Sequence, residues 1–305
     1  MRVLVTGGAG FIGSHVADRL LERGHEVAVV DDLSSGKHEN VPNRARFYEM
    51  DIRAGCAAVF EDFRPDALCH LAAQMDVRRS VREPDFDAGV NVIGTVRLLE
   101  NCVRKGVGKV VFASTGGAVY GEQETFPAPE DHRQYPVSPY GVSKLACERY
   151  LQYYSVQHGL SYVALRYANV YGPRQDPHGE AGVVAIFCAN LAQGRTSRIN
   201  GSGEQTRDYV YVEDVARANV LAVEGAPPSG AYNIGTGEET SVNELYETLV
   251  EISGKDLPPE HGPAKPGEQL RSSVDASLAG RVLEWKPEVG LREGLGETLR
   301  FFGAV

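Results

Sequence analysis

Over the first 170 residues, short runs of Val, Ile, Leu and Ala alternate with longer segments in which apolar residues recur every three or four positions. Short continuous apolar runs are strands buried on both faces, and the 3.6-residue period marks helices that bury one side. The pattern predicts strands at residues 3–6, 26–31, 45–49, 67–71, 109–114 and 162–167, with helices around 12–23, 91–105 and 140–158. Regular alternation of the two predicts a parallel sheet with helices on both faces.

The third helix has a clear start. Ser138 suits the N-cap, and Pro139 suits the first helical position, where its missing N–H costs nothing. Beyond Gly172 the texture changes to Gly- and Pro-rich stretches such as GPRQDPHGE, INGSGEQTRDY and PPEHGPAKPGE, which predict a loop-rich lobe. A helix at 242–252 opens with Ser241 and carries Glu244 three residues on, the pattern of a capping box. The expected organisation is a doubly wound α/β domain over residues 1–170. Residues 171–305 form mainly a smaller C-terminal lobe, with some chain returning to the sheet.

A chain of 305 residues with 42% hydrophobic content can bury a large core. Its formal net charge of -10 provides no general field for nucleic acid or anionic lipid, so an anionic ligand needs local cations. The five cysteines (56, 69, 102, 147 and 188) are odd in number and form no CxxC pair, which argues against disulfides and zinc and for a reducing cytoplasm. No metal is expected. No run approaches the ~18 apolar residues of a membrane span.

Candidate chemistry starts at Thr6-Gly7-Gly8-Ala9-Gly10-Phe11-Ile12-Gly13, which follows the first strand and opens the first helix. Glycines there let the backbone approach a pyrophosphate at the positive end of the helix. Asp31-Asp32 ends the second strand, where a carboxylate binds a ribose 2′-hydroxyl and repels a 2′-phosphate, so the residues favour NAD over NADP. Tyr140 and Lys144 stand at i and i+4 and project from one helix face. Ser114 and Thr115 end a strand at the carboxyl edge of the sheet, where ligands bind. A free Tyr titrates near pH 10, so a neutral-pH base needs a downward shift of about three units. A nearby ammonium and a positive nicotinamide ring supply the right sign.

The ordered set TGGAGFIG, Asp31-Asp32, Asp51-Ile52, His70-Leu71-Ala72-Ala73-Gln74, Asn91, Ser114-Thr115, Tyr140-Lys144 and Arg166-Tyr167-Ala168-Asn169 resembles the extended short-chain dehydrogenase/reductase family, whose fold is Rossmann-like. QTRDYVYVEDVA (205–216) and KPGE (265–268) resemble its nucleotide-sugar branch, above all the UDP-sugar 4-epimerases. The resemblance runs over nearly the whole chain. It implies that Gly7, Gly10, Phe11, Ile12, Asp31, Asp32, Leu33, Gly36, Asp51, Ile52, Leu71, Ala72, Ala73, Gln74, Asn91, Tyr140, Lys144 and Tyr167 surround NAD. It likewise implies that Tyr140, Lys144 and Thr115 are catalytic, and that Thr115, Tyr140, Asn169, Arg207, Lys265, Glu268 and Ser272 hold a UDP-hexose.

There are two departures from the family pattern. The segment from Ser114 to Gly121 is one residue longer than the commonest spacing, so counting from Phe112 selects Thr115, counting back from Tyr120 lands on Gly116, and Ser114 stays open. Lys265 stands where many relatives have Arg, which keeps the charge and loses the bidentate fork.

The activity implied is interconversion of UDP-glucose and UDP-galactose through a transient 4-ketone. Nucleotide-sugar 4,6-dehydratases of the same family carry an acidic pair after the catalytic hydroxyl, whereas Gly116 and Gly117 follow it here. A sensor that binds without turnover has no need of Tyr140, Lys144 and a hydroxyl together. Ser272, where strict epimerases have Tyr, implies that UDP-GlcNAc and UDP-GalNAc are accepted too. The family's four-helix-bundle homodimer maps onto residues 91–105 and 140–158, with Tyr150, Leu151, Tyr153 and Tyr154 as surplus apolar surface.

Overall fold

The computed structural model describes residues 1–178, 182–264 and 269–305. Seven strands form one sheet: β1 (Arg2–Thr6), β2 (Glu26–Asp31), β3 (Arg46–Glu49), β4 (Ala67–His70), β5 (Lys109–Thr115), β6 (Ser161–Tyr167) and β7 (Gly230–Ile234). Their order is β7-β6-β5-β4-β1-β2-β3 and every pairing is parallel. The order reverses between β1 and β4, which opens a crevice at their carboxyl ends. Thr6, Asp31, His70 and Thr115 all end strands on that edge.

Alternate residues of each strand feed opposite cores. From β1, Val3 and Val5 pack with Val16 and Leu20 of the Phe11–Glu22 helix and with Val215 and Ala218 of the Val212–Glu224 helix. Leu4 packs on the other face with Leu98, Leu99, Cys147 and Leu151. Full burial of each such side chain contributes about 1.5–3 kcal/mol. The first core includes chain from far downstream: β7, the Val212–Glu224 helix, and Trp285, whose indole donates to Asp214 O at 2.8 Å.

A third core unites the remainder of the second half. It joins the helices Val183–Ala192, Val242–Ser253 and Leu291–Phe302 around Phe187, Tyr246, Leu245 and Leu295. The capping box forms as expected, with Glu244 N donating to Ser241 Oγ at 3.1 Å and Ser241 N to Glu244 Oε2 at 2.9 Å. Asn169–Tyr171 and Tyr209–Tyr211 pair in parallel and join this lobe to the end of β6. No described helix is long and apolar enough to cross a membrane.

Most strand ends lie within one residue of the pattern. The helix expected at 91–105 differs more: its α-helical part is Gly94–Lys105, preceded by a π turn at Gly89–Ile93 and a short helix at Pro84–Ala88. The wider turn adds a residue to the spiral, which no apolar period records.

Candidate active site

The glycine turn after β1 is a cradle that any larger residue would fill. Gly7 has φ 73°, and a Cβ there would lie 2.6 Å from Ala72 N; one on Gly13 would lie 2.1 Å from Gly7 O. The Phe11–Glu22 helix starts from Gly10 with no side-chain cap, leaving first-turn N–H groups directed at the cradle. At the end of β2, Asp31 is 7% exposed and accepts from Ala9 N at 3.0 Å and Leu33 N at 2.9 Å. Burial pushes its carboxyl upward against these two bonds. Gly36 closes over it, where a Cβ would lie 2.8 Å from Asp31 Oδ1. Asp32 is exposed and bonded to Ser34, while Asp51 caps the next turn and pairs with Arg53 at 2.6 Å, which holds its carboxyl below the usual range.

Gly7 abuts the backbone of Leu71 and Ala72, so the turn after β4 forms the far wall. Gln74 and Asn91 lock that wall together, with Gln74 N donating to Asn91 Oδ1 and Asn91 Nδ2 to Gln74 O, both at 2.9 Å. Ile52 is 5% exposed and packs against Gly94. Tyr167 ends β6. Its ring is buried in the first core and its hydroxyl is bonded to Asn219, so its side chain is spent on packing. A bare helix start, a close-approach glycine cradle and a carboxylate ending β2 together fit a dinucleotide.

Ser138 Oγ accepts from Gly141 N at 3.2 Å and fixes the start of the Pro139–His158 helix. Tyr140 is half-buried there, and its N–H donates to Ser80 Oγ at 3.2 Å. Lys144, one turn on, is 4% exposed; its Nζ donates to Ala113 O at 2.8 Å and lies 5.9 Å from the Tyr140 ring centre. Burial pulls the Lys144 ammonium down to about 8, opposed by Cys147, Asp87 and Glu148. The Tyr140 phenol is pushed above its ordinary value by burial first, then by Asp87 and Cys147. Burial and these two groups therefore oppose the downward shift a base requires. A bound cation must add it, and the nicotinamide ring of NAD⁺ has that charge.

The two candidate hydroxyls separate clearly. Ser114 is 4% exposed and donates to Glu148 inside the buried Glu148–Arg166 pair. Thr115 is half-buried, ends β5, and accepts from Ala118 N at 3.2 Å. A Cβ on Gly117 would lie 3.9 Å from Thr115 Oγ1 and 4.0 Å from Asn169 Oδ1, so Thr115 and Asn169 flank one small space.

Val274 closes the space from the lobe side, packed so tightly on Gly116 that a Cβ there would meet it at 2.7 Å. Ser272 lies two residues earlier on the same segment, and its carbonyl accepts from Asp208 N at 3.0 Å. It is 4% exposed. Arg207 lies on the adjoining strand Thr206–Arg207 and donates to Thr206 O at 2.7 Å. Lys265 and Glu268 lie outside the described residues.

Sequence reasoning missed two buried acids here. Asp208 is 1% exposed and accepts from Thr236 N, Thr236 Oγ1, Gly237 N and Val274 N, which ties the lobe to the end of β7. Asp87 is fully buried between Gln74 and Ser143. Asp208 lies inside the QTRDYVYVEDVA stretch, which does not reveal its burial, and Asp87 lies in no quoted motif.

A doubly wound dinucleotide sheet with a Tyr–Lys pair beside a strand-end hydroxyl defines a nicotinamide-dependent enzyme that moves a proton and a hydride at a carbinol carbon. The model of the NAD dependent epimerase/dehydratase family matches residues 3–235, and the chain belongs to that family, with NAD as its cofactor. It is 48% identical to a UDP-glucose 4-epimerase of Mycolicibacterium smegmatis, over 99% of this chain and 98% of that protein. The crystal structure of UDP-glucose 4-epimerase from Thermotoga maritima with UDP-glucose has a TM-score of 0.97 at 51% identity, covering 99% of this chain and 98% of that one. That of the Thermus thermophilus UDP-glucose 4-epimerase complex with NAD has a TM-score of 0.94 at 48% identity and covers both chains fully.

Proposed function

We infer that the chain is an isomerase, an NAD-dependent UDP-glucose 4-epimerase that interconverts UDP-glucose and UDP-galactose. One observation carries the chemistry: Lys144 bonds Ala113 O near the end of β5 and lies 5.9 Å from the Tyr140 ring centre, Thr115 ends the same strand, and glycine, not an acid, follows the hydroxyl. The glycine cradle from Gly7 to Gly13 and Asp31 would hold NAD⁺, which when bound would supply a reversible hydride acceptor for C4 of the sugar. Tyr140 holds the O4 proton through this exchange, receiving it as the ketone forms and giving it back as the alcohol is restored. Thr115 bonds the same oxygen, and Lys144 favours the phenolate electrostatically and anchors the nicotinamide ribose. Asn169 and Arg207 orient the diphosphate, with Lys265 and Glu268 in the same role. The cations meet the need that the acidic chain created.

Gly116 and Gly117 leave the C5 and C6 positions without a proton donor, which supports epimerisation over dehydration. The small side chain of Ser272 supports acceptance of UDP-GlcNAc and UDP-GalNAc. Because Ser272 is 4% exposed, the acetamido group requires the pocket rim to give, and these substrates turn over more slowly. A homodimer is supported by an apolar stripe on the Pro139–His158 helix: Val142, Tyr150, Tyr153 and Val156 are 53%, 41%, 53% and 74% exposed. Leu151 and Tyr154 are instead buried in the core. A cytoplasmic location accords with five free, buried cysteines.

The test is incubation with UDP-glucose and, separately, UDP-GlcNAc, following C4 configuration by NMR beside a Tyr140→Phe control. Galacto isomers without net NADH, abolished in the control, are expected. A 4-keto-6-deoxy product, or no change in the sugar, would overturn the reading.

A further inference from the structure

Asp87 is fully buried, one turn before the π turn, and accepts three hydrogen bonds from neutral donors. Gln74 Nε2 donates at 2.9 Å and Asn91 Nδ2 at 3.1 Å to one oxygen, and Ser143 Oγ at 2.6 Å to the other. The carboxylate therefore spans two parts of the site: the wall after β4 and the helix that carries Tyr140 and Lys144. Cys147 adds a second stitch, donating its thiol to Asn91 O at 3.2 Å. A buried carboxylate costs several kcal/mol of desolvation, far more than neutral tethering demands, since an Asn or Ser could bond the same partners.

We propose that Asp87 is a positioning residue whose buried negative charge fixes the pH range in which Tyr140 and Lys144 exchange protons. The inference rests on the epimerase reading only in taking Tyr140 as the proton carrier. The charged and titratable groups around the pair are few. Cys147 and Glu148 share its helix; Glu148 is neutralised by Arg166 of β6 at 2.6 Å. His70 of β4 is neutral, held down to about 3 by burial between Thr6 and Thr95. Ser80, the contact from the Val77–Arg82 helix, carries no charge. Among the described residues near the pair, Asp87 is the carboxyl group whose bonds all come from neutral donors. Its charge favours the protonated forms of Lys144, which burial works to deprotonate, and of Tyr140.

Asp87→Asn keeps size and hydrogen-bonding capacity and removes the charge. Both limbs of the kcat–pH bell should then move to lower pH by about half a unit or more, because losing a nearby anion eases deprotonation of both groups. Ser143→Ala cuts the tether and keeps the charge. It should change the height of the bell and leave the limbs in place. A titration of ¹³Cζ-labelled tyrosine, with the Tyr140 signal assigned by its loss in Tyr140→Phe, reads the same shift with no turnover. Should Asp87→Asn fail to fold, Asp87→Ser repeats the charge removal in a smaller side chain. Limbs and tyrosine signal that stay in place in the folded neutral variant would overturn the proposal. A wild-type chain that leaves UDP-glucose unchanged would overturn the epimerase reading instead, with the tyrosine titration still deciding this one.

Discussion

Glu148 Oε1 receives the Ser114 hydroxyl at 2.5 Å and the Arg166 Nε–H at 3.0 Å, while Arg166 Nη2 bonds Oε2 at 2.6 Å. The three residues are 2–5% exposed. Ser114 is committed to this pair and Thr115, its neighbour in β5, faces the other way. Ser114→Ala removes one bond from a carboxylate that keeps both of its Arg166 contacts, so it should lower stability by about 1–2 kcal/mol with kcat within a few-fold. Thr115→Val keeps the shape and loses the hydroxyl beside O4. It should cut kcat about 10²-fold and, by removing the cap bond from Ala118 N, lower stability by about 1 kcal/mol. Steady-state kinetics and thermal melts on the two variants check the assignment; a kcat loss confined to Ser114→Ala would reverse it.

The contrast also shows what was legible in the residues. Glycine spacing, the Asp ending β2, the Ser138–Pro139 helix start and the Ser241–Glu244 box are local signals, and the structure keeps each at its expected place. The choice between Ser114 and Thr115 was not local, because an inserted residue can be absorbed on either side of the hydroxyl. What favours Thr115 is the engagement of Ser114 by Glu148, 34 residues downstream, whose charge alone looks like any solvated helix face. Asp87 and Asp208 stayed hidden for the same reason: burial of an acid is decided by partners 13 to 66 residues away. β7 was equally dispersed, a five-residue strand whose partner β6 lies far upstream.

Lys144 should cost the protein stability. Its ammonium is held down to about 8 from an ordinary value of 10.5. Between those values the folded chain binds fewer protons than the unfolded one, so this residue's cost is full at neutral pH and fades as pH rises through the window. A gap of that size is roughly 3 kcal/mol, less about 1 kcal/mol for the bond to Ala113 O. Lys144→Met should therefore raise the Tm of the NAD-free protein by several degrees at neutral pH while abolishing turnover, and the gain should shrink toward pH 10. Melts at several pH values decide it. A destabilised Lys144→Met would mean that the Ala113 bond outweighs the desolvation.

Ser272→Tyr tests the breadth of the pocket. Ser272 lies two residues before Val274, which is packed on Gly116 next to Thr115, so a phenol at 272 adds bulk close to that space. UDP-glucose turnover should survive within about tenfold, while kcat/KM for UDP-GlcNAc should fall at least ~100-fold, as overpacking by a group the size of an acetamide demands. Parallel progress curves on the two substrates give the ratio. A wild-type enzyme already confined to the unacetylated sugars, with no change in the variant, removes Ser272 from the specificity argument.

Val142, Tyr150, Tyr153 and Val156 follow a helical spacing along one face, close to the exposed Ile93. Two such faces related by a two-fold axis place each stripe on its own copy, the arrangement by which a self-complementary apolar patch closes without leaving a free edge. Sedimentation should give twice the mass of one chain. Val156→Asp with Tyr153→Asp puts two carboxylates against their symmetry mates and should yield monomers. Tyr140 should stay in place in that monomer, because Ser138, Ser80 and the Asp87–Ser143 bond hold its end of the helix from within one chain. Turnover within a few-fold of wild type is therefore expected from the monomer. A monomeric wild type would sink the dimer, and a monomeric variant that has lost activity would show that the partner's helix stiffens the base as well as covering the stripe.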